Sequence, residues 1–399
     1  MTGAAGVVIV GASLAGLTTA EALRAEGYAG RVTLIGEEDR APYNRPPLSK
    51  QVLSGAWSIE QTTMRDATQL DEIGVLHLRG RRASGVDVEA HTVTVGGERL
   101  PYDHLVAATG VVARRLPNPR RLRGIHSLRT ADDALRLQQD LLGSGRVAVV
   151  GAGVLGCEIA SAARSSGRDV TLIGRASGVR FGRTGEHLSP MIAQLLQDNG
   201  VRMRMGVDVV ETEGRDTVST VRLSDGSLVP ADLVIGAIGC TPVVDWLSGT
   251  GIDISDGVLC DADGVAAPDL YAVGDVARWV DPLTGLADRV EHQATAIERA
   301  NAVARLIATG ERSEAAAAFF WSEIFGNRIL VHGRLDPTLP LTVLAGDPAD
   351  RRFVGATIRD DRPTGLVGWN MPREFRQERA RLIHPAADTV GTLKGSTLA

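Results

Sequence analysis

Uninterrupted apolar runs recur along the chain at residues 7–10, 105–108, 147–150, 233–235 and 270–273, each with a glycine within the next two residues. Runs this short and this apolar, bounded by glycine, predict buried strands. Two of them open the same longer pattern. The first is Val7-Val8-Ile9-Val10-Gly11-Ala12-Ser13-Leu14-Ala15-Gly16, then a helical periodicity through Arg24, then Arg31-Val32-Thr33-Leu34-Ile35-Gly36-Glu37. The second is Val147-Ala148-Val149-Val150-Gly151-Ala152-Gly153-Val154-Leu155-Gly156, a helical stretch, then Asp169-Val170-Thr171-Leu172-Ile173-Gly174-Arg175. Each copy predicts a strand, a glycine turn, a helix and a parallel strand.

That succession is the dinucleotide-binding unit, and its glycines have separate tasks. Gly11 and Gly151 permit the tight turn, Gly153 lets backbone approach a pyrophosphate, and Gly16 and Gly156 allow close helix–strand packing. The helix starts at Ser13-Leu14-Ala15 and Val154-Leu155 offer free N–H groups and a positive dipole end to phosphates. Ser13 replaces the middle glycine of the first copy. It is small, and its hydroxyl can donate to a phosphate.

The copies differ after the second strand. Glu37 places a carboxylate where it can accept both ribose hydroxyls of an adenosine. The second copy has Gly174-Arg175 instead. An arginine there either meets a 2′-phosphate or is a solvated loop residue, so NADH and NADPH both stay open. Later, Leu270-Tyr271-Ala272-Val273-Gly274-Asp275 predicts a buried strand running into Gly-Asp at a helix start, its carboxylate facing a sugar hydroxyl. The strands ending at Thr109-Gly110 and Gly239 are of the kind that pass close to a cofactor.

At 399 residues the chain suggests two or three domains. No apolar run reaches the ~18 residues that would span a bilayer. The first strand starts at Val7, which leaves no room for a signal peptide. The net charge of −5 argues against a general nucleic-acid binder. Cys157, Cys240 and Cys260 form no CxxC or metal-ligand spacing, so no metal is expected and a reducing cytoplasm is. Of 43 basic residues only Lys50 and Lys394 are lysines, which points to a chemical requirement at Lys50.

The order GxSxxG, Arg45-Pro46-Pro47-Leu48-Ser49-Lys50, Ala108-Thr109-Gly110, GxGxxG with Glu158, and Val273-Gly274-Asp275 resembles the oxygenase-coupled ferredoxin reductases. These are flavoproteins of the pyridine nucleotide-disulfide oxidoreductase superfamily, of the putidaredoxin, rubredoxin and biphenyl-dioxygenase reductase type. The resemblance covers essentially the whole chain, including Phe320-Trp321-Ser322 and Pro372-Arg373-Glu374-Phe375, and RPPLSK is its most specific motif.

The resemblance implies an α/β protein with two Rossmann-like, glutathione-reductase-like domains and a C-terminal α+β domain. Residues 1–110 and 235–312 would bind FAD, 111–234 NAD(P)H, and 313–399 would close the chain. It places Lys50 beside the flavin N5, paired with Glu158, where an ammonium stabilises charge on reduced flavin. Arg45 would lie near the FAD diphosphate and Asp275 at the ribityl chain, and Arg114, with Arg115 as a competitor, matches a recurring cofactor-binding arginine after Ala-Thr-Gly. Hydride would pass from NADH or NADPH to FAD, and single electrons to a [2Fe–2S] ferredoxin serving an oxygenase or cytochrome P450. A monomer or homodimer is expected, without membrane or nucleic acid.

Three departures matter, the first two for the partner and the third for the nucleotide. The family's Glu-His-Trp reads Glu291-His292-Gln293 here, Phe-Trp-Ser-Asp-Gln ends in Glu323-Ile324, and the usual ribose acid is missing at Gly174. Glu291 and His292 are placed at the cofactor by the resemblance, His292 for packing or hydrogen bonding. Trp321 is either a flavin neighbour or a core aromatic. The stretch from Arg373 to Arg381 predicts a helix that either steers an acidic ferredoxin or is simply solvated. Disulfide reductase chemistry is disfavoured, since no cysteine precedes Cys157. No added substrate domain points to a monooxygenase. A rubredoxin reductase and a redox-sensing module of the apoptosis-inducing-factor kind are the alternatives.

Overall fold

The computed structural model describes residues 5–118, 120–182, 187–281, 285–313, 319–383 and 396–397. Lys394 and part of the expected C-terminal domain lie outside them. Contacts group the chain into two compact units, one of residues 1–44, 59–112 and 240–318, the other of 45–58, 113–239 and 319–399.

The first unit is built on a six-stranded sheet in the order Val265–Ala267, Leu270–Ala272, His104–Ala107, Gly6–Val10, Arg31–Ile35, Val75–Leu78. All neighbours but the first pair are parallel, and Val7 is in register with both Val32 and His104. Central strands covered on both faces need apolar side chains throughout, which is why Gly6–Val10 is buried along its length. The helix Leu14–Ala25 buries Ala15, Gly16, Leu17, Thr19, Ala20 and Leu23, a stripe of small and aliphatic residues at helical spacing. The helix Gln293–Thr309 packs against it.

The sequence pattern predicts Gly274-Asp275 at a helix start. The structure makes it a single 3₁₀ turn, Gly274–Val276, between strands Leu270–Ala272 and Ala277–Val280. The chain cannot continue as a helix because Ala277–Val280 pairs at once with Val258–Cys260.

The second unit repeats the plan with a five-stranded parallel sheet, Arg202–Met205, Asp169–Gly174, Arg146–Val150, Leu233–Gly236, Ile125–Ser127. The helix Val154–Ser165 follows its glycine turn. The same unit holds the 3₁₀ turn Pro46–Ser49 and a six-stranded antiparallel sheet in the order Phe319–Ile324, Asn327–Gly333, Arg362–Trp369, Arg352–Arg359, Thr342–Asp347, Ser396–Thr397. The arginine-rich stretch forms the helix Pro372–Ile383, anchored on the strand Arg362–Trp369 by the fully buried Phe375. Among the described residues, no helix is long and apolar enough to cross a membrane.

Candidate active site

In the first unit the glycine turn is forced by the strand beside it. Gly11 has φ +119°, and a Cβ there would stand 2.1 Å from the Ala108 carbonyl oxygen. A Cβ on Gly16 would meet the Gly11 carbonyl oxygen at 1.9 Å, so the helix lies on the turn at backbone contact. Ser13 is the extended N-cap of that helix, and its side chain makes no capping bond. Gly274, at φ +72°, comes so close that an added Cβ would be 2.8 Å from Ala15 Cβ. Thus residues 11–16 and 274–275, remote in sequence, meet at the carboxyl ends of two parallel strands that flank His104–Ala107, where open α/β sheets bind ligands. An adenine dinucleotide such as FAD fits this cradle of N–H groups and close backbone.

The remaining first-unit residues are distributed unevenly. Glu37 is exposed just past Arg31–Ile35, its carboxylate 3.1 Å from Arg82 Nη1. Thr109 donates its hydroxyl to the Val243 carbonyl at 2.7 Å, so it contributes position more than a free donor. Gly110 has φ +65°. Glu291 is held by Arg289 Nη1 at 2.5 Å and accepts the Cys240 thiol at 2.9 Å. Burial, then that bond, pushes the Cys240 thiol up to about 12. His292 is the extended residue preceding the helix Gln293–Thr309. Gln293, which replaces the family's tryptophan, donates to Asn44 Oδ1 at 3.1 Å.

The second unit rebuilds the turn with the same contacts. Gly151 has φ +115° with the Ala237 carbonyl oxygen 2.1 Å from an added Cβ, and Gly156 would meet the Gly151 oxygen at 1.8 Å. Gly153 differs: its φ is −89° and the nearest atom to an added Cβ is 3.8 Å away. Among the described residues nothing requires glycine at 153, and the space above it suits an approaching pyrophosphate. Val154 and Leu155 start the helix there. Arg175 is exposed, 4.0 Å from Asp208. Gly174 is wedged, since a Cβ would be 2.9 Å from Ala152 Cβ and 3.0 Å from Met205 Sδ. Gly239 has φ +92° and accepts the exposed Arg114 N–H at 2.9 Å.

The RPPLSK segment packs in this second unit. Arg45 Nη1 donates to the Arg129 carbonyl at 3.0 Å, and Pro46–Ser49 is a 3₁₀ turn with Lys50 as its C-cap. Lys50 Nζ lies 2.6 Å from Glu158 Oε2, with side-chain exposures of 12% and 8%. Both are therefore largely removed from water, where an unpaired charge is expensive. Ser49 Oγ donates to the same oxygen at 2.8 Å and Ser322 Oγ to Oε1 at 2.7 Å. The ammonium stands 5.3 Å from the Trp321 ring centroid, a cation–π contact, while Trp321 also packs on the C-terminal core. Ser49 and Ser322 carry no signal of their own in the sequence, although each sits in a motif beside a candidate residue, Lys50 and Trp321.

Residues 5–300 match the pyridine nucleotide-disulphide oxidoreductase family, and the chain belongs to it. It is 35% identical to the ferredoxin reductase component of a chlorobenzene dioxygenase from Cupriavidus, over 96% of this chain and 93% of that one. It is 30% identical to putidaredoxin reductase from Pseudomonas putida, over 94% and 90%. The solved covalent complex of putidaredoxin reductase with putidaredoxin superposes with a TM-score of 0.87 at 29% identity, covering 96% of this chain and 93% of that one.

Proposed function

We propose that this chain is an FAD-dependent NAD(P)H:ferredoxin reductase supplying electrons to an oxygenase or cytochrome P450. The observation that carries this reading is the largely buried Lys50–Glu158 pair at the RPPLSK turn, in a chain that ferredoxin reductases of dioxygenase systems match over 96% and 92% of its length. When bound, FAD supplies acceptance of a hydride and its release as single electrons. The cradle of Gly11, Ser13, Gly16, Gly274 and Asp275, with Glu37 for the ribose, suits FAD. The turn of Gly151, Gly153 and Gly156 suits the nicotinamide dinucleotide. Lys50 holds a cation ready for charge on the reduced flavin, and Glu158 keeps that cation oriented.

A functional division into 1–110 with 235–312, 111–234 and 313–399 is supported by one parallel sheet in each nucleotide part and the antiparallel sheet after them, although the strand Leu233–Gly236 crosses the boundary at 235 and the segment 45–58 groups with the second unit. The exposed Arg373 and Arg376 on the last helix supply local positive charge for an acidic [2Fe–2S] ferredoxin. Thiol chemistry is a poor competitor. Burial pushes Cys157 and Cys260 up to about 12, as it does Cys240, so no thiolate is at hand. Three unpaired cysteines and a nicotinamide reductant suit the cytoplasm.

Steady-state cytochrome c reduction, with NADH or NADPH and a panel of [2Fe–2S] ferredoxins, tests this function. Turnover that depends on ferredoxin is expected. Rapid flavin reduction with no ferredoxin-dependent turnover would overturn it, and a long-lived charge-transfer complex would indicate a redox-sensing module instead.

A further inference from the structure

We propose that Ser49 and Ser322 are positioning residues that lock the Glu158 carboxylate, and through it the Lys50 ammonium, in a single geometry. Glu158 projects from the helix Val154–Ser165, Ser49 from the turn Pro46–Ser49 and Ser322 from the strand Phe319–Ile324. Three segments thus converge on one buried carboxylate.

The two oxygens are held separately. Oε1 accepts from Ser322 at 2.7 Å, while Oε2 accepts from Ser49 at 2.8 Å and from Lys50 at 2.6 Å. A glutamate's terminal torsion is soft, so a carboxylate held through one oxygen can turn. Donors on both oxygens from different segments remove that freedom. The lysine stem is flexible and takes its place from its partners. Lys50 Nζ has the Pro46 carbonyl and Ser49 Oγ only at 3.4 Å, which leaves Glu158 as its strong acceptor.

The chemistry of Ser322 favours this role over simple packing. It is 0% exposed in a strand whose other members include Phe319, Phe320, Trp321 and Ile324, where alanine would pack without a hydroxyl to satisfy. The hydroxyl gains its purpose from Glu158.

The inference rests on the role proposed for Lys50, and the test separates the two. Holoenzymes carrying Ser322→Ala, Ser49→Ala, both changes, Ser322→Thr and Lys50→Met are compared. The readouts are the midpoint potential of the bound flavin, the pH profile of its reduction, KM for the nicotinamide and the melting temperature. Ser322→Ala is expected to keep FAD and KM, to shift the potential negative and to slow flavin reduction about tenfold, the scale of one lost charge-assisted hydrogen bond. The double serine variant approaches Lys50→Met, and Ser322→Thr restores both readouts. Unchanged potential and reduction rate in the serine variants, where Lys50→Met is slow, would overturn the positioning role. If Lys50→Met is unchanged as well, the role of Lys50 itself falls. Should Ser322→Ala not fold, Ser49→Ala alone decides.

Discussion

The Lys50 ammonium and the Glu158 carboxylate meet at 2.6 Å although 108 residues apart in the chain, both largely withdrawn from water. The pairing gives a direct kinetic expectation. Lys50→Met keeps most of the length of the unbranched side chain and removes its charge. Flavin reduction in stopped-flow mixing is expected to slow by about 10²-fold, the range seen when one preorganised electrostatic donor is removed. The FAD content of the purified protein should be unchanged. Equal rates in wild type and variant would eliminate the assigned role.

The same pair makes a stability prediction. Removing one partner strands the other charge, which costs about 3–5 kcal/mol in buried settings. Glu158→Leu is therefore expected to lower stability substantially, since it leaves the ammonium with two distant oxygens and the Trp321 face. Lys50→Met combined with Glu158→Leu should recover much of that loss. Denaturant unfolding of the four proteins in a double-mutant cycle reads the coupling. A double variant as unstable as the sum of the singles would show that the pair is not coupled.

The repeated strand–glycine–helix pattern was legible in the sequence because each glycine requirement is local. Gly11 and Gly151 answer to a carbonyl of the neighbouring strand, and the same need recurs in both copies. The buried carboxylate cluster was legible only in part. Lys50 stood out as a lone lysine among arginines, but Ser49 and Ser322 are ordinary residues until long-range packing brings them to Glu158. The turn at Gly274 likewise read as a helix start, because the strand pairing that stops it lies at Val258–Cys260. Long-range contacts of this kind leave no local trace.

His332 supplies a pH dependence. Burial, reinforced by the Arg379 guanidinium, holds its imidazole down to about 4 in the folded protein. The unfolded chain takes up that proton near the ordinary value of about 6.5. Between those values the unfolded state binds more protons, so stability falls as pH drops from about 6.5 toward 4, by at most ~1.4 kcal/mol per pH unit. Above that window the contribution is fully present. His332→Leu should flatten this part of the profile in denaturant titrations. Parallel profiles for the two proteins would contradict it.

Arg175 and Gly174 are the positions proposed to bear on the choice of nucleotide. Arg175→Ala is expected to lower kcat/KM for NADPH about tenfold through loss of a charge-assisted phosphate contact, with NADH little affected. Gly174→Asp should not yield a good NADH enzyme by itself. The new Cβ would be 2.9 Å from Ala152 Cβ, so the strand or the turn must shift. Adding Ala152→Gly opens that space, and the pair should favour NADH. Steady-state kinetics with both nucleotides compare the variants, and an Arg175→Ala enzyme with wild-type NADPH kinetics would remove Arg175 from the site.

Gly151 and Gly153 sit two residues apart and answer to different constraints. At Gly151 the φ of +115° and the Ala237 oxygen, 2.1 Å from an added Cβ, make alanine a steric and backbone violation. Gly151→Ala should lower the melting temperature and weaken nucleotide binding together. At Gly153 the backbone is extended and an added Cβ has 3.8 Å of clearance, so the fold has no objection. Gly153→Ala should stay within about 0.5 kcal/mol of wild-type stability, as for a surface change that meets nothing. Its KM for the nicotinamide dinucleotide should nevertheless rise, because the methyl occupies the approach of the pyrophosphate. A Gly153→Ala protein with wild-type stability and wild-type KM would mean that the pyrophosphate does not pass over this turn. In the first copy Ser13 already carries a Cβ at the matching place, so Ser13→Gly should leave FAD bound and the fold unchanged.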